Sequence, residues 1–163
     1  MEVQTTKEHN IQKSSKEKLL KTLTPEKLIE RDFDMLDIVK NSKKLTTVGS
    51  LKRNHGSNFS KAILMGWLVF INEYLNKNKS MNKVQIKTTA TIIEQKYYWL
   101  SFQDLALIFK NIISGDYGDF FECFDSPKLL GIIKTYAGQR MELVEELQIN
   151  KHNELKSREK WDK

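Results

Sequence analysis

Apolar residues recur at three- and four-residue spacing through five stretches of this chain, and capping residues rather than turn-rich clusters bound them. Thr24, Pro25 and Glu26 read as a helix start, with the helix continuing through Leu28, Ile29, Met35, Leu36 and Val39. From Phe59 the residues Ile63, Leu64, Trp67, Leu68, Phe70, Ile71, Tyr74 and Leu75 wrap most of a helical surface, which marks a central core helix. Ser80 is placed to cap a helix over residues 81–95, whose inward positions would be Met81, Val84, Ile86, Ala90, Ile92 and Ile93. Ser101 and Asp104 resemble a capping box with Asp in place of Glu, and the helix they open would end at Gly115, where a left-handed cap suits glycine. Asp125, Ser126 and Pro127 start a last helix through Leu129, Ile132, Ile133, Tyr136, Met141, Val144 and Leu147. The pattern predicts an all-α fold: a single compact domain of about five or six helices over residues 24–149. Residues 1–23 would form a flexible, weakly docked basic arm and residues 150–163 a charged helical extension. Residues 41–58, with Gly49, Gly56, Ser and Asn and no clean apolar period, read as a long basic loop.

Charge sharpens this picture. Between Ile38 and Asn72 there is no acidic residue, and over residues 38–110 twelve basic residues face three acids, so this stretch carries +9 while the whole chain carries +6. A basic middle suits a polyanion, because several phosphate contacts made together give sequence-independent, salt-sensitive binding. Lys43, Lys44, Lys52, Arg53, Lys83 and Lys87 are the candidate phosphate contacts. Tyr97, Tyr98 and Trp99, beside Lys83, Lys87 and Lys96, offer stacking faces of the kind that single-strand binders use, and Tyr117 is a further candidate for stacking or partner contact. Core packing between two apolar helices is the competing reading of these aromatic residues.

Other chemistry finds little purchase. The single cysteine, Cys123, cannot form an internal disulfide, and His9, His55 and His152 lie far apart in polar segments, so neither a zinc site nor a Cys-His nucleophilic pair is expected. Asp116, Asp119, Glu122 and Asp125 recur every three residues, yet the ligand order of a calcium loop is missing, and capping explains them better. Gly115, Asp116, Tyr117 and Gly118 lack the Gly-Lys-Ser/Thr end of a phosphate loop and read as a helix stop and bend. The expectation is therefore no catalytic residue, no metal and no cofactor. The apolar run over residues 62–71 is about half the ~20 residues of a spanning helix, and no signal peptide opens the chain, so a cytoplasmic protein without membrane partners is expected.

Residues 67–140 resemble an uncharacterised family of small helical proteins from Bacteroidetes, their phages and mobile elements. The resemblance rests on Trp67-Leu68-Val69-Phe70-Ile71-Asn72, on Met81 to Ile86 ahead of Ile92-Ile93, on Tyr97-Tyr98-Trp99-Leu100 leading to Asp104, and on Gly115-Asp116-Tyr117-Gly118 before Asp125 and the Tyr136 to Arg140 stretch. Ser126-Pro127 after Asp125 departs from the glycine more usual there. The family carries no established activity; its phage context implies a replication, packaging or host-takeover role. Joined to the charge pattern, this points to a non-enzymatic accessory protein of phage or mobile-element DNA metabolism, a replication adaptor or helicase-loader-like protein that binds nucleic acid through its basic middle. The alternative is a protein-protein adaptor, host-factor inhibitor or virion component using the C-terminal helix and the aromatic turn.

Overall fold

Helices follow one another with short joints in the computed structural model, which describes residues 15–76, 80–118 and 123–161. They are α1 (15–22), α2 (Pro25–Ile29), α3 (Met35–Lys40), a 3-10 turn at Ser42–Lys44, α4 (Val48–His55), α5 (Ser57–Leu75), α6 (Lys83–Lys96), α7 (Phe102–Ser114) and α8 (Ser126–Trp161). The fold is all-α, and the described residues hold eight α-helices where the apolar spacing predicts five or six.

The extra helices come from polar segments. The helix expected from Thr24 to Val39 is two, because Asp34 accepts a hydrogen bond from the Asp37 N–H at 2.7 Å and starts α3 afresh. Residues 41–58, expected to be a loop, instead hold the 3-10 turn, all of α4 and the start of α5. Thr47 and Ser50 form a reciprocal capping box at 3.0 Å in each direction, and Val48 and Leu51 anchor α4 in the core. Only two buried apolar side chains hold that helix, too few to print a period on its sequence. Gly56 at φ +88° separates α4 from α5, a conformation that L side chains rarely adopt. The arm expected over residues 1–23 lies outside the described residues as far as residue 14; beyond that α1 leads to the buried Leu23.

Trp67 on α5 is the centre of the core. Its ring meets Phe102 and Phe109 of α7 at centroid separations of 5.8 and 5.5 Å, the second edge-on, and its indole N–H donates to the Leu23 carbonyl at 2.8 Å. Thus one side chain joins the N-terminal segment, α5 and α7. α6 lies against α5 and turns Ile86, Ala90 and Ile93 inward. Its start is set by an Asn82–Gln85 capping box rather than by Ser80, which leaves Val84 on the outer side and 73% exposed instead of inward.

Two backbone locks hold α6 and α4 in place. Asn72 of α5 donates to the Met81 carbonyl and accepts from the Met81 N–H, at 2.8 and 2.9 Å, which fixes the entry to α6. An isolated antiparallel bridge pairs Thr47 with Ser101, and the Gly49 N–H donates to the Tyr98 carbonyl at 2.7 Å, so the start of α4 is lashed to the joint between α6 and α7. α8 buries Leu129, Ile133 and Tyr136 against α6 and α7, then continues past the core with residues 148–158 exposed.

Candidate functional site

Ser101 caps α7 as its sequence predicts, and the Asp104 that completes the box is fully buried. One oxygen of Asp104 accepts the Ser101 N–H and hydroxyl, each at 2.7 Å. The other accepts the Tyr136 hydroxyl at 2.7 Å and the Arg140 Nε at 2.8 Å, both from α8. Tyr136 and Arg140 are four residues apart and therefore share one helix face. Burial, then the neighbouring Asp104 charge, raise the Tyr136 phenol well above its ordinary value, so it stays a neutral donor. Arg140 is 8% exposed, and its guanidinium lies 5.2 Å from the ring centroid of Trp99. A capping carboxylate thus becomes the hub that holds an arginine on an indole.

That arginine is shared by two adjoining surface hollows. The larger, about 510 Å³, runs between the end of α3 with the 3-10 turn and the outer part of α8, and is lined by Lys40, Lys43, Arg140, Lys151 and the less polar Val144 and Leu147, together with Val39, Ser42 and Gln148. Four cations line it and, among the described residues, no carboxylate does. Among the described residues, no hydrogen bond or ion pair engages the side-chain nitrogens of Lys40, Lys43 or Lys151 or the terminal nitrogens of Arg140. The smaller hollow, about 350 Å³, is lined by Trp99, Arg140, Met141, Val144 and Glu145. Its walls are mostly apolar with one acid at the rim.

Of the six basic residues singled out by charge, Lys43 lines the groove. Lys44 sits beside it in the 3-10 turn, and Arg53, Lys83 and Lys87 are exposed on α4 and α6. Lys52 is drawn elsewhere. Its Nζ lies 3.2 Å from Glu94, whose side chain is 1% exposed, accepts the Ser57 hydroxyl at 2.9 and 3.1 Å, and has Lys61 3.9 Å away. Glu94 therefore engages two of the middle region's lysines and offsets one positive charge.

The aromatic candidates divide. Tyr98 is 56% exposed, Trp99 is half-buried under Arg140, and Tyr97 packs against the core. Tyr117 also packs on the core, and burial raises its phenol. Gly115 and Gly118 both take φ +85°, as a helix stop and bend require. Asp125 caps α8 by accepting the Lys128 N–H at 3.0 Å, and Asp116 accepts the Ser114 hydroxyl at 2.9 Å; Asp119 and Glu122 lie outside the described residues. Among the described residues no group of three or more His, Cys, Asp or Glu side chains is placed to hold a metal ion, and none of the helices is long and apolar enough to cross a membrane.

Sequence reasoning missed Lys40, Arg140 and Lys151. Lys40 and Lys151 stand over a hundred positions apart, and neither has a distinctive neighbour. Arg140 carried a signal, since the Tyr136-x-x-x-Arg140 spacing places two hydrogen-bond donors on a face that is otherwise apolar. Such a face needs a buried acceptor, and Asp104 supplies it. No family model, no curated protein and no solved structure matches this chain.

Proposed function

We propose that this protein is a nucleic-acid-binding accessory protein rather than an enzyme, and that it takes single-stranded nucleic acid through the groove between α3 and α8. The observation that carries this reading is the lining: Lys40, Lys43, Arg140 and Lys151 face one cavity with no acid among them. Cations so gathered repel one another, and a polyanion relieves that repulsion while releasing its own counterions. The neighbouring hollow supports a single strand over a duplex, because its apolar lining by Trp99, Met141 and Val144 suits an unstacked base. A role in phage or mobile-element DNA metabolism belongs to the same proposal.

The test is fluorescence anisotropy with labelled single- and double-stranded DNA and RNA across a salt series. A K40A/K43A/K151A triple variant removes three phosphate contacts, so its log K against log salt slope should be shallower by about 2, taking ~0.7 per contact for a single strand. Unchanged affinity and slope would remove the groove from consideration. An equal loss in a K83A/K87A variant alone would move the interface to α6.

A protein-partner reading rests on a different feature. α8 runs 36 residues and leaves Ile149 and Leu155 exposed beyond the core, the kind of side chains that a partner helix would cover. Light scattering of the isolated chain, and of mixtures with replication or host proteins, would show such an assembly directly.

A further inference from the structure

Four cations meet in the groove, while several others in the described residues lie against acids. Outside the groove, Lys52 and Lys61 lie against the buried Glu94, and Lys110 is bonded to Asp32 at 3.1 Å. Next to the groove, the Trp99 hollow carries Glu145. A strand threading both hollows would lead one of its backbone phosphates past that carboxylate. A strand that ends there would not.

We infer that the two hollows together hold one terminal nucleotide carrying a phosphate monoester, with the phosphate among Lys40, Lys43, Arg140 and Lys151 and the base in the Trp99 hollow. This inference rests on the nucleic-acid reading above. Three features support it. First, the hollows share Arg140 and Val144, so a single nucleotide spans both, and their volumes of about 510 and 350 Å³ lie in the range of small-ligand pockets. Second, four cations without a carboxylate favour a group carrying close to two negative charges over an internal diester carrying one. Third, Arg140 is pinned at Nε by the fully buried Asp104 and lies over the Trp99 ring, while its terminal nitrogens have no partner among the described residues. A guanidinium fixed this way is ready for paired hydrogen bonds to phosphate oxygens and loses little rotamer freedom on binding. Glu145, the one acid at the base hollow, can accept a hydrogen bond from an exocyclic amine but repels phosphate. It thereby orients the nucleotide. Asp104 and Tyr136 act as positioning residues through Arg140.

The experiment compares wild-type binding to one oligonucleotide in three forms, with a 5′-phosphate, with a 3′-phosphate and with hydroxyl ends, using a nucleoside monophosphate as competitor. One phosphorylated form should bind at least about tenfold tighter than the hydroxyl form, which is the worth of one charge-assisted hydrogen bond. R140K keeps the charge but loses the paired geometry, and should erase that preference. Equal affinity for all three forms, with binding still lost in K40A/K43A/K151A, would overturn the terminal-phosphate inference and leave the nucleic-acid reading standing. Absence of binding to any strand would overturn both. A monophosphate that binds as tightly as the phosphorylated strand would show a free nucleotide to be the ligand and overturn the strand-end assignment. The three-strand comparison uses the wild-type protein alone, so it decides the matter even where R140K fails to fold.

Discussion

Replacing Asp104 by alanine would strip the acceptor from four hydrogen-bond donors at once, one of them the charged Arg140 Nε. Breaking one side of a buried ion pair costs about 3–5 kcal/mol, because the surviving charge is left without compensation. D104A should therefore lower unfolding free energy in urea by about that amount, and a loss under ~1 kcal/mol would show that the hub does not hold α7 to α8. Tyr136→Phe is milder, removing one bond to a charged acceptor at about 1.5–3 kcal/mol. It also has a pH signature. The folded phenol is raised above its unfolded value, so the stability it contributes is complete below about pH 10, the unfolded phenol's pKa, and is lost as pH rises through that value toward the folded one. Relative to wild type, Y136F should flatten the alkaline fall in stability by up to about 1.4 kcal/mol per pH unit. Parallel curves would refute the neutral buried donor.

Between elements, Gly49 closely approaches the α6–α7 joint. A Cβ added there would lie 3.0 Å from the Tyr98 carbonyl oxygen and 3.1 Å from its ring. Alanine improves helix propensity by at most about 1 kcal/mol, whereas overpacking costs about 1–3, and the backbone carbonyl cannot swing aside. G49A should be destabilising on balance and should displace Tyr98, visible as a changed amide chemical shift at Leu100. A more stable G49A would mean that the lash between α4 and the joint yields easily. Asn72→Ala tests the second lock: with both Met81 backbone groups released, hydrogen exchange at Met81 should quicken at least tenfold while the α7 amides stay protected. Legibility in the sequence followed the same physics. The Ser101–Asp104 box, the Gly115 stop and the Asp125–Pro127 start were readable because capping acts over three or four residues and leaves its mark in residue type. α4 was not. Its cap pairs Thr47 with Ser50 rather than with Glu or Gln, and the bridge that holds it comes from Ser101, more than fifty positions on.

At the scale of the whole molecule, what local pattern cannot carry is which charges meet. Counting acids and bases located a positive middle, but Glu94 sits inside that stretch and draws in Lys52 and Lys61, whereas Arg140 and Lys151 join Lys43 from a segment that is net acidic. Only the crossing of α3 against α8 assembles the groove. Because residues 151–158 of α8 are exposed, ending the chain after Asn150 should change unfolding free energy by no more than about 0.5 kcal/mol. The same truncation removes Lys151, so strand affinity should fall and the salt slope lessen by about 0.7. A large loss of stability would instead make the outer helix part of the folding unit.

Arg140 belongs at once to the interior, through Asp104, and to the wall of the groove. Whatever settles on its outer edge therefore props the seam between α7 and α8 from outside, and occupancy becomes readable as heat resistance. At a hundred times its dissociation constant a ligand selective for the native form adds about 2.7 kcal/mol. For a chain of this size that corresponds to a rise of roughly 5–10 °C in melting temperature. A panel of phosphorylated compounds warmed with the protein and a reporter dye would then rank candidate ligands with no assay of activity.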